Sequence, residues 1–297
     1  MDEGAFDDAL IQRIPYARPY RYDLLIEFLR FRAIKGVEVV DDAGRYARTC
    51  VIDGDAGWLT VEDDAAADEI ILRVAPSLCA HVDDLACRAR RAFDTACDPE
   101  AVSSALSDFH ERVDARYRIE GVRLPCSFDP FEMSVRAILG QQITVKAANT
   151  LAGRLTGALG LACETPIPGL SCVFPRPSAF VGDDVPAMLG HLGIIGRRAK
   201  AVCLLARAFE DGALRMGPGE DVEANARVLL DIPGIGPWTV NYLLMRGFHF
   251  PDAMPSTDYG VKLAFPGMTP RQIERASEAW RPYRSYAVMS TWCAPHE

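Results

Sequence analysis

The stretch LLDIPGIGPWTVNYLLM, residues 229–245, ends one helical pattern, inserts Pro233-Gly234-Ile235-Gly236-Pro237, and starts another with a tryptophan in its first turn. Two glycines around one aliphatic residue allow positive φ and let the backbone approach another molecule with no Cβ in the way. Pro237 fixes the first residue of the second helix, so free N–H groups and the positive end of its dipole point out of the hairpin. Such a turn suits one phosphate, with Ile235 packed inward to hold it rigid. A plain link between two helices is the simpler reading of the turn taken alone.

The residues after the turn shift that balance. A second helix over residues 238–247 travels about 15 Å away from the hairpin. Residues 248–257, FHFPDAMPST, carry two prolines and form a loop long enough to return. The chain then delivers Asp258, followed by the helical pattern YGVKLAF. An aspartate here can be a mere N-cap, but Ser256 and Thr257 beside it have the same capping chemistry. A carboxylate beside a phosphate-gripping turn faces a nucleic-acid backbone, an electrostatic cost that a plain cap leaves unexplained.

The rest of the chain divides in two. Residues 20–34 repeat apolar groups at helical spacing, with Leu24, Leu25, Phe28 and Leu29 on one face. VEVV, RYARTCVI, GWLTVE and EIILRVA are short β-rich runs separated by Asp/Gly turn chemistry, the pattern of an antiparallel meander. Residues 1–105 therefore read as an α+β unit with an antiparallel sheet. From there the chain is mainly α, over residues 106–297. Asp129, Pro130 and Glu132 mark the start of one helix, and the Pro-rich stretch 163–180 is a loop. Residues 194–212 form an amphipathic helix opened by Arg197, Arg198 and Lys200. Residues 221–230 form the first arm of a helix-hairpin-helix spanning about 221–247.

Charge decides where a polyanion can bind. The net charge is −9, but residues 1–110 hold 12 Lys and Arg against 22 Asp and Glu, leaving 20 against 19 for the remainder. A DNA-binding face fits the second region if it uses backbone groups and a few placed cations. The start MDEGAFDDAL is acidic, and no segment approaches the roughly 20 apolar residues of a membrane span. A cytoplasmic, nucleoid-associated protein with no membrane partner is expected. The nine cysteines include no C-x-x-C pair and have no histidine cluster beside them, so no metal site is expected.

The turn with an aspartate about twenty residues on, the segment FPGMTPRQIERASEAWRPYRSYAVMSTW (265–292) and the segment FDPFEMSVRAILGQQITVKAA (128–148) together resemble the helix-hairpin-helix DNA glycosylases. Within them the chain is most similar to the 3-methyladenine DNA glycosylase II (AlkA-type) branch, over most of its length. The resemblance implies that Asp258 is the catalytic carboxylate. It implies that Gly234, Ile235 and Gly236 grip the phosphate 3′ of the lesion through main-chain N–H groups. No cofactor is required, although a monovalent cation at the hairpin, bridging to a DNA phosphate, belongs to the same picture. Gln142 falls where the family inserts a wedge into the vacated stack, a leucine in its best-known form. Arg284 and Ser285 fall near the pocket, Arg284 with either a structural or a phosphate-contacting role.

Trp238, Tyr242 and Trp292 are the candidates for holding a flipped base, Trp238 and Tyr242 sharing a helix face at i, i+4. A cationic ring is held well by such faces, at roughly 0.5–2 kcal/mol each. Tyr242, like Trp280, reads equally well as a core aromatic. Bifunctional members carry a Schiff-base lysine at the position of Trp238. An indole forms no imine, so simple hydrolysis is expected. The expected activity is a monomeric, monofunctional glycosylase that flips alkylated purines, of the 3-methyladenine and 7-methylguanine type, from double-stranded DNA. The alternatives are a glycosylase for a deaminated or other lesion on the same fold, and a non-enzymatic helix-hairpin-helix DNA-binding protein in which Asp258 only caps.

Overall fold

The β-rich runs pair into one antiparallel sheet, as their two-residue alternation demands. A computed structural model describes residue 6 and residues 8–295. Its first elements are β1 (Leu10–Pro15), α1 (Tyr22–Arg30), β2 (Glu38–Val40), β3 (Tyr46–Ile52), β4 (Asp55–Asp64) and β5 (Glu69–Val74), with sheet order β1-β5-β4-β3-β2. Asp53 and Gly54, at φ 51° and 103°, turn β3 into β4. Both being left-handed is what a two-residue hairpin requires for its twist to match the strands. Strand β1, LIQRIP, was not among the expected strands. It lies at the sheet edge opposite β5, where Pro15 ends the ladder and its missing N–H does little harm.

Helix α1 buries Leu25, Ile26, Phe28 and Leu29, while Leu24 is only half-buried. The buried stripe is displaced from the expected one because α1 packs against β2 and β3 and also against the last helix of the chain.

The remaining helices are α2 (Val82–Ala92), α3 (Pro99–Ala105), α4 (Ser107–Arg112), α5 (Pro130–Leu139), α6 (Val145–Leu159), α7 (Val185–His191), α8 (Arg197–Glu210), α9 (Val222–Asp231), α10 (Pro237–Arg246), α11 (Tyr259–Ala264), α12 (Pro270–Ser277) and α13 (Arg284–Cys293). The start of α5 is as expected: the Asp129 carboxylate accepts from the N–H groups of Phe131 at 2.8 Å and Glu132 at 3.1 Å. The Pro-rich loop folds back on the residues just before it, β7 (Cys172–Val173) pairing antiparallel with β6 (Leu161–Ala162). No helix among the described residues is long and apolar enough to cross a membrane.

Two large hydrophobic cores organise the molecule, beside a small third cluster of Ala47, Trp58, Ala75, Ile167 and Leu170. One combines the sheet, α1 and α2 with C-terminal residues such as Phe265, Trp280, Tyr286 and Val288. The other gathers α5, α8 and the two hairpin helices, and takes Ile34 and Val37 from the N-terminal unit. Trp292 packs on the first core and Tyr242 on the second. The space between these two side chains therefore lies where the cores meet.

Candidate active site

Asp258 is delivered as the sequence suggests, and it caps a helix. Its Oδ1 accepts from the N–H groups of Gly260 at 2.9 Å and Val261 at 3.2 Å at the start of α11. The neighbouring Ser256 does not compete for the cap, because its hydroxyl donates to Glu274 at 2.7 Å. Two further donors reach the carboxylate from distant helices. Trp292 Nε1 donates to Oδ1 and Trp238 Nε1 to Oδ2, each at 2.9 Å. All four donors are neutral N–H groups, and among the described residues no cation pairs with Asp258. Bonds to a charged group contribute about 1.5–3 kcal/mol each, so the carboxylate is firmly oriented without a direct ion pair.

The three expected aromatics come together here. Trp238 and Tyr242 stack with ring centroids 5.4 Å apart, and Tyr242 meets Trp292 at 5.8 Å. They line a cavity of about 720 Å³ together with Asp258, Tyr259 and residues of α5 and α6. Arg32 and Arg136 also line it, and neither had been singled out from the sequence. Arg32 sits 3.6 Å over the ring of Phe28, and burial pulls its pKa down to about 10. Arg136 is paired with Glu38 at 2.8 Å and Glu132 at 3.1 Å. Burial alone would raise the pKa of the Tyr242 hydroxyl, but Arg246, Arg32 and Arg136 outweigh it and bring that pKa below the usual tyrosine value. Among the described residues no cluster of histidine, cysteine and carboxylate is arranged to hold a metal.

The hairpin keeps Ile235 buried, 5% exposed, as expected. Gly234 has φ 105°, and a Cβ there would crowd Arg197 and Ala201 of α8. Gly236 departs from expectation: its φ is −107°, a conformation open to any residue, so positive φ is not its purpose. A Cβ on Gly236 would meet nothing in the chain, which leaves this N-cap of α10 bare toward solvent with no side-chain acceptor. Gln142 is exposed at φ 57° on the loop between α5 and α6.

Comparisons with known proteins bear on this geometry. The family model for the AlkA N-terminal domain matches residues 11–129. DNA-3-methyladenine glycosylase 2 of Escherichia coli is 37% identical over 274 residues, covering 92% of this chain and 94% of the relative. The chain belongs to the DNA-3-methyladenine glycosylase 2 family. Among solved structures, a 3-methyladenine DNA glycosylase from Archaeoglobus fulgidus superposes with a TM-score of 0.77 at 19% identity, over 95% of this chain and 97% of that one. An 8-oxoguanine glycosylase/lyase from Clostridium acetobutylicum, solved with double-stranded DNA, gives 0.70 at 14% identity over 97% of each chain. At these identities both support the glycosylase fold alone.

In this member of the family, several residues that shape the site had no signal in the sequence. Gln141 Nε2 donates to the Gly234 carbonyl at 2.9 Å and to Thr239 Oγ1 at 3.0 Å, tying the loop of Gln142 to the hairpin. Arg198 donates to the Gln141 carbonyl from α8. Arg284 takes the structural role, with Nε 2.7 Å from Asp252 Oδ1 and a second nitrogen 2.7 Å from the Asp252 carbonyl. Ser285 is fully buried; its hydroxyl donates to the Phe250 carbonyl at 2.8 Å and accepts from Ala253 N–H at 2.9 Å. Arg284 and Ser285 thus pin the loop that carries Asp258 into place. Trp280 is a core aromatic, stacked on Phe265 with its N–H on Asp108.

Proposed function

We propose that this N-glycosyl hydrolase of base excision repair removes alkylated purines, of the 3-methyladenine and 7-methylguanine type, from double-stranded DNA by simple hydrolysis. The observation that carries the reading is Asp258, a carboxylate fixed by four neutral donors at the edge of an aromatic cavity. An alkylated purine nucleotide carries a positive charge, so its glycosidic bond breaks without a proton donor. The bond's electron pair leaves with the base, and positive charge develops on the sugar. The Asp258 carboxylate opposes that charge and orients the water that attacks C1′; the water's proton passes to solvent, leaving free base and an abasic site.

The target must leave the stack to reach the cavity. Trp238, Tyr242 and Trp292 receive it on their faces, while Trp238 and Trp292 use their edges to hold Asp258. Gln142, exposed in a left-handed conformation, fills the vacated stack as the wedge. The bare start of α10, with Gly234, Ile235 and Gly236, supplies main-chain N–H groups to one DNA phosphate. The carbonyls of Ile232 and Gly234 each accept one hydrogen bond and have a second lone pair, hard oxygen donors that suit a monovalent cation. Such a cation would add positive charge beside the same phosphate. With Trp238 where a Schiff-base lysine would stand, strand cleavage is not part of the reaction.

The test is release of free base from methylated duplex DNA by the wild-type protein and by Asp258→Asn, with alkali applied separately. The reading expects 3-methyladenine release by wild type alone, with strand breaks only after alkali. Binding of DNA with no base released by either protein overturns the chemistry.

A further inference from the structure

We propose that a second, basic groove, on the outer face of α6, holds the sugar-phosphate backbone of the duplex flanking the flipped nucleotide. The inference rests on the reading of this chain as acting on double-stranded DNA. The groove has a volume of about 730 Å³ and runs between the end of α1 and α6. Asn149 lines both it and the cavity of Asp258, and its amide donates to the Phe31 carbonyl at 2.9 Å, so the two cavities are neighbours separated by this side chain. Helix α6 starts three residues after Gln142, and a duplex seated on the wedge meets this helix first.

The charges in the groove match a polyanion. Lys35, Lys146 and Arg154 line it, are exposed, and make no ion pair among the described residues. Arg154 donates to the Leu192 carbonyl at 3.5 Å. Glu27 is the one acid among the lining residues, and Arg30 neutralises it at 2.8 Å. Three cations without an ion pair among the described residues, on one short surface, stand out in a chain of net charge −9. Lys146 and Arg154 lie eight residues apart on the helix, about 12 Å along its axis, which spans three or four phosphates at about 3.4 Å of rise each.

The shape agrees with the charge. Gly153 and Thr150 keep the floor low, so a sugar-phosphate chain can lie close to the helix backbone. Phe31, 62% exposed, stands at the groove as an apolar ring for deoxyribose to rest against.

The experiment compares wild type with the triple variant Lys35→Ala/Lys146→Ala/Arg154→Ala and with a charge-matched control, Arg13→Ala/Arg18→Ala/Arg73→Ala, on the sheet side. Binding to a duplex carrying a central tetrahydrofuran abasic analogue is followed by fluorescence anisotropy across a salt series. Release of 7-methylguanine at saturating enzyme is measured in parallel. The groove variant should flatten the slope of log K against log salt by about two to three, at about 0.9 for each phosphate that is no longer neutralised. The control should keep the wild-type slope, and release at saturation by the groove variant should stay within about twofold of wild type, since no reacting group has changed. An unchanged slope, or an equal loss in the control, overturns the proposal. Absence of base release by wild type would instead defeat the enzymatic reading and leave the slopes to be judged separately; absence of wild-type binding defeats both.

Discussion

Two sets of carboxylates in this molecule are held in opposite ways. Glu38 and Glu132 are buried between the sheet and α5, and each faces guanidinium groups: Arg48 lies 2.6 Å from Glu132, and Arg136 bridges both. Tyr46 adds a hydrogen bond to Glu38 at 2.6 Å. Burial alone would raise the pKa of Glu38, yet Arg136, Arg48 and Tyr46 bring it below the usual carboxylate value. Asp258 is held with comparable firmness by two indoles and two backbone amides, with no ion pair among the described residues. An arginine would orient a carboxylate equally well but would also cancel its field. Neutral donors fix position and leave the negative charge in place, as the proposed role toward the sugar requires. The identity of the partner, more than the number of hydrogen bonds, separates a carboxylate that joins two cores from one that can do chemistry.

The contrast breaks most visibly at Asp258 itself. Asp258→Asn keeps a competent N-cap, since asparagine caps about as well as aspartate, but removes the charge. Single-turnover base release should fall at least about 100-fold, while the urea midpoint should drop only modestly, through the Trp238 hydrogen bond that the amide NH2 cannot accept. A variant that loses stability in proportion to activity would make Asp258 a structural residue like the other two.

The opposite signature is expected at Glu132. Glu132→Gln leaves two buried guanidinium groups, Arg48 and Arg136, to share the single carboxylate of Glu38, which costs about 3–5 kcal/mol. Urea unfolding followed by circular dichroism measures it. A loss under about 1 kcal/mol would mean that solvent reaches this network and that the contrast with Asp258 is one of degree.

Trp292→Phe sharpens the contrast by separating the two uses of one side chain. The ring remains to meet Tyr242 and a flipped base, while the N–H on Asp258 is lost. One hydrogen bond to a charged group, at about 1.5–3 kcal/mol, corresponds to a roughly 10- to 100-fold drop in rate. Single-turnover release of 7-methylguanine checks it, and a rate within about twofold of wild type would show that the remaining donors suffice to hold the carboxylate.

What could be read in the sequence was what the chain encodes locally. The hairpin, the N-cap at Asp129 and the arrival of Asp258 after a return loop each depend on a few adjacent residues. The three aromatics were legible as a group, but only as faces. That Trp238 and Trp292 turn their N–H edges to one carboxylate depends on α10, α11 and α13 converging, over separations of 20 and 34 residues, and no periodicity carries that. Arg32 and Arg136 were missed for a similar reason. Each sits in a helical pattern that looks like a solvated charge, yet the packing of α1 and α5 turns both toward the cavity. Gly236 shows the reverse error, a glycine credited with unusual backbone geometry where the space beside it is what matters.

The smallest effect is expected at Gln141, and it tests whether neutral pins matter beyond the carboxylate. Its amide joins the loop of Gln142 to the hairpin through Gly234 and Thr239, so the proposed wedge and the proposed phosphate grip share one spacer. Gln141→Ala removes two neutral hydrogen bonds, each contributing about 0.5–1.5 kcal/mol, while leaving Asp258 and the aromatic cavity as they are. On duplex DNA, where a base must be displaced and its gap filled, excision should slow by a few fold. On a single strand carrying the same lesion the wedge has no stack to enter, and the rate should be unchanged. An equal slowing on both substrates would mean that Gln141 acts through α10 on Trp238 and the carboxylate, which would place a third neutral support behind Asp258 and extend the contrast with the arginine-bound pair by another layer.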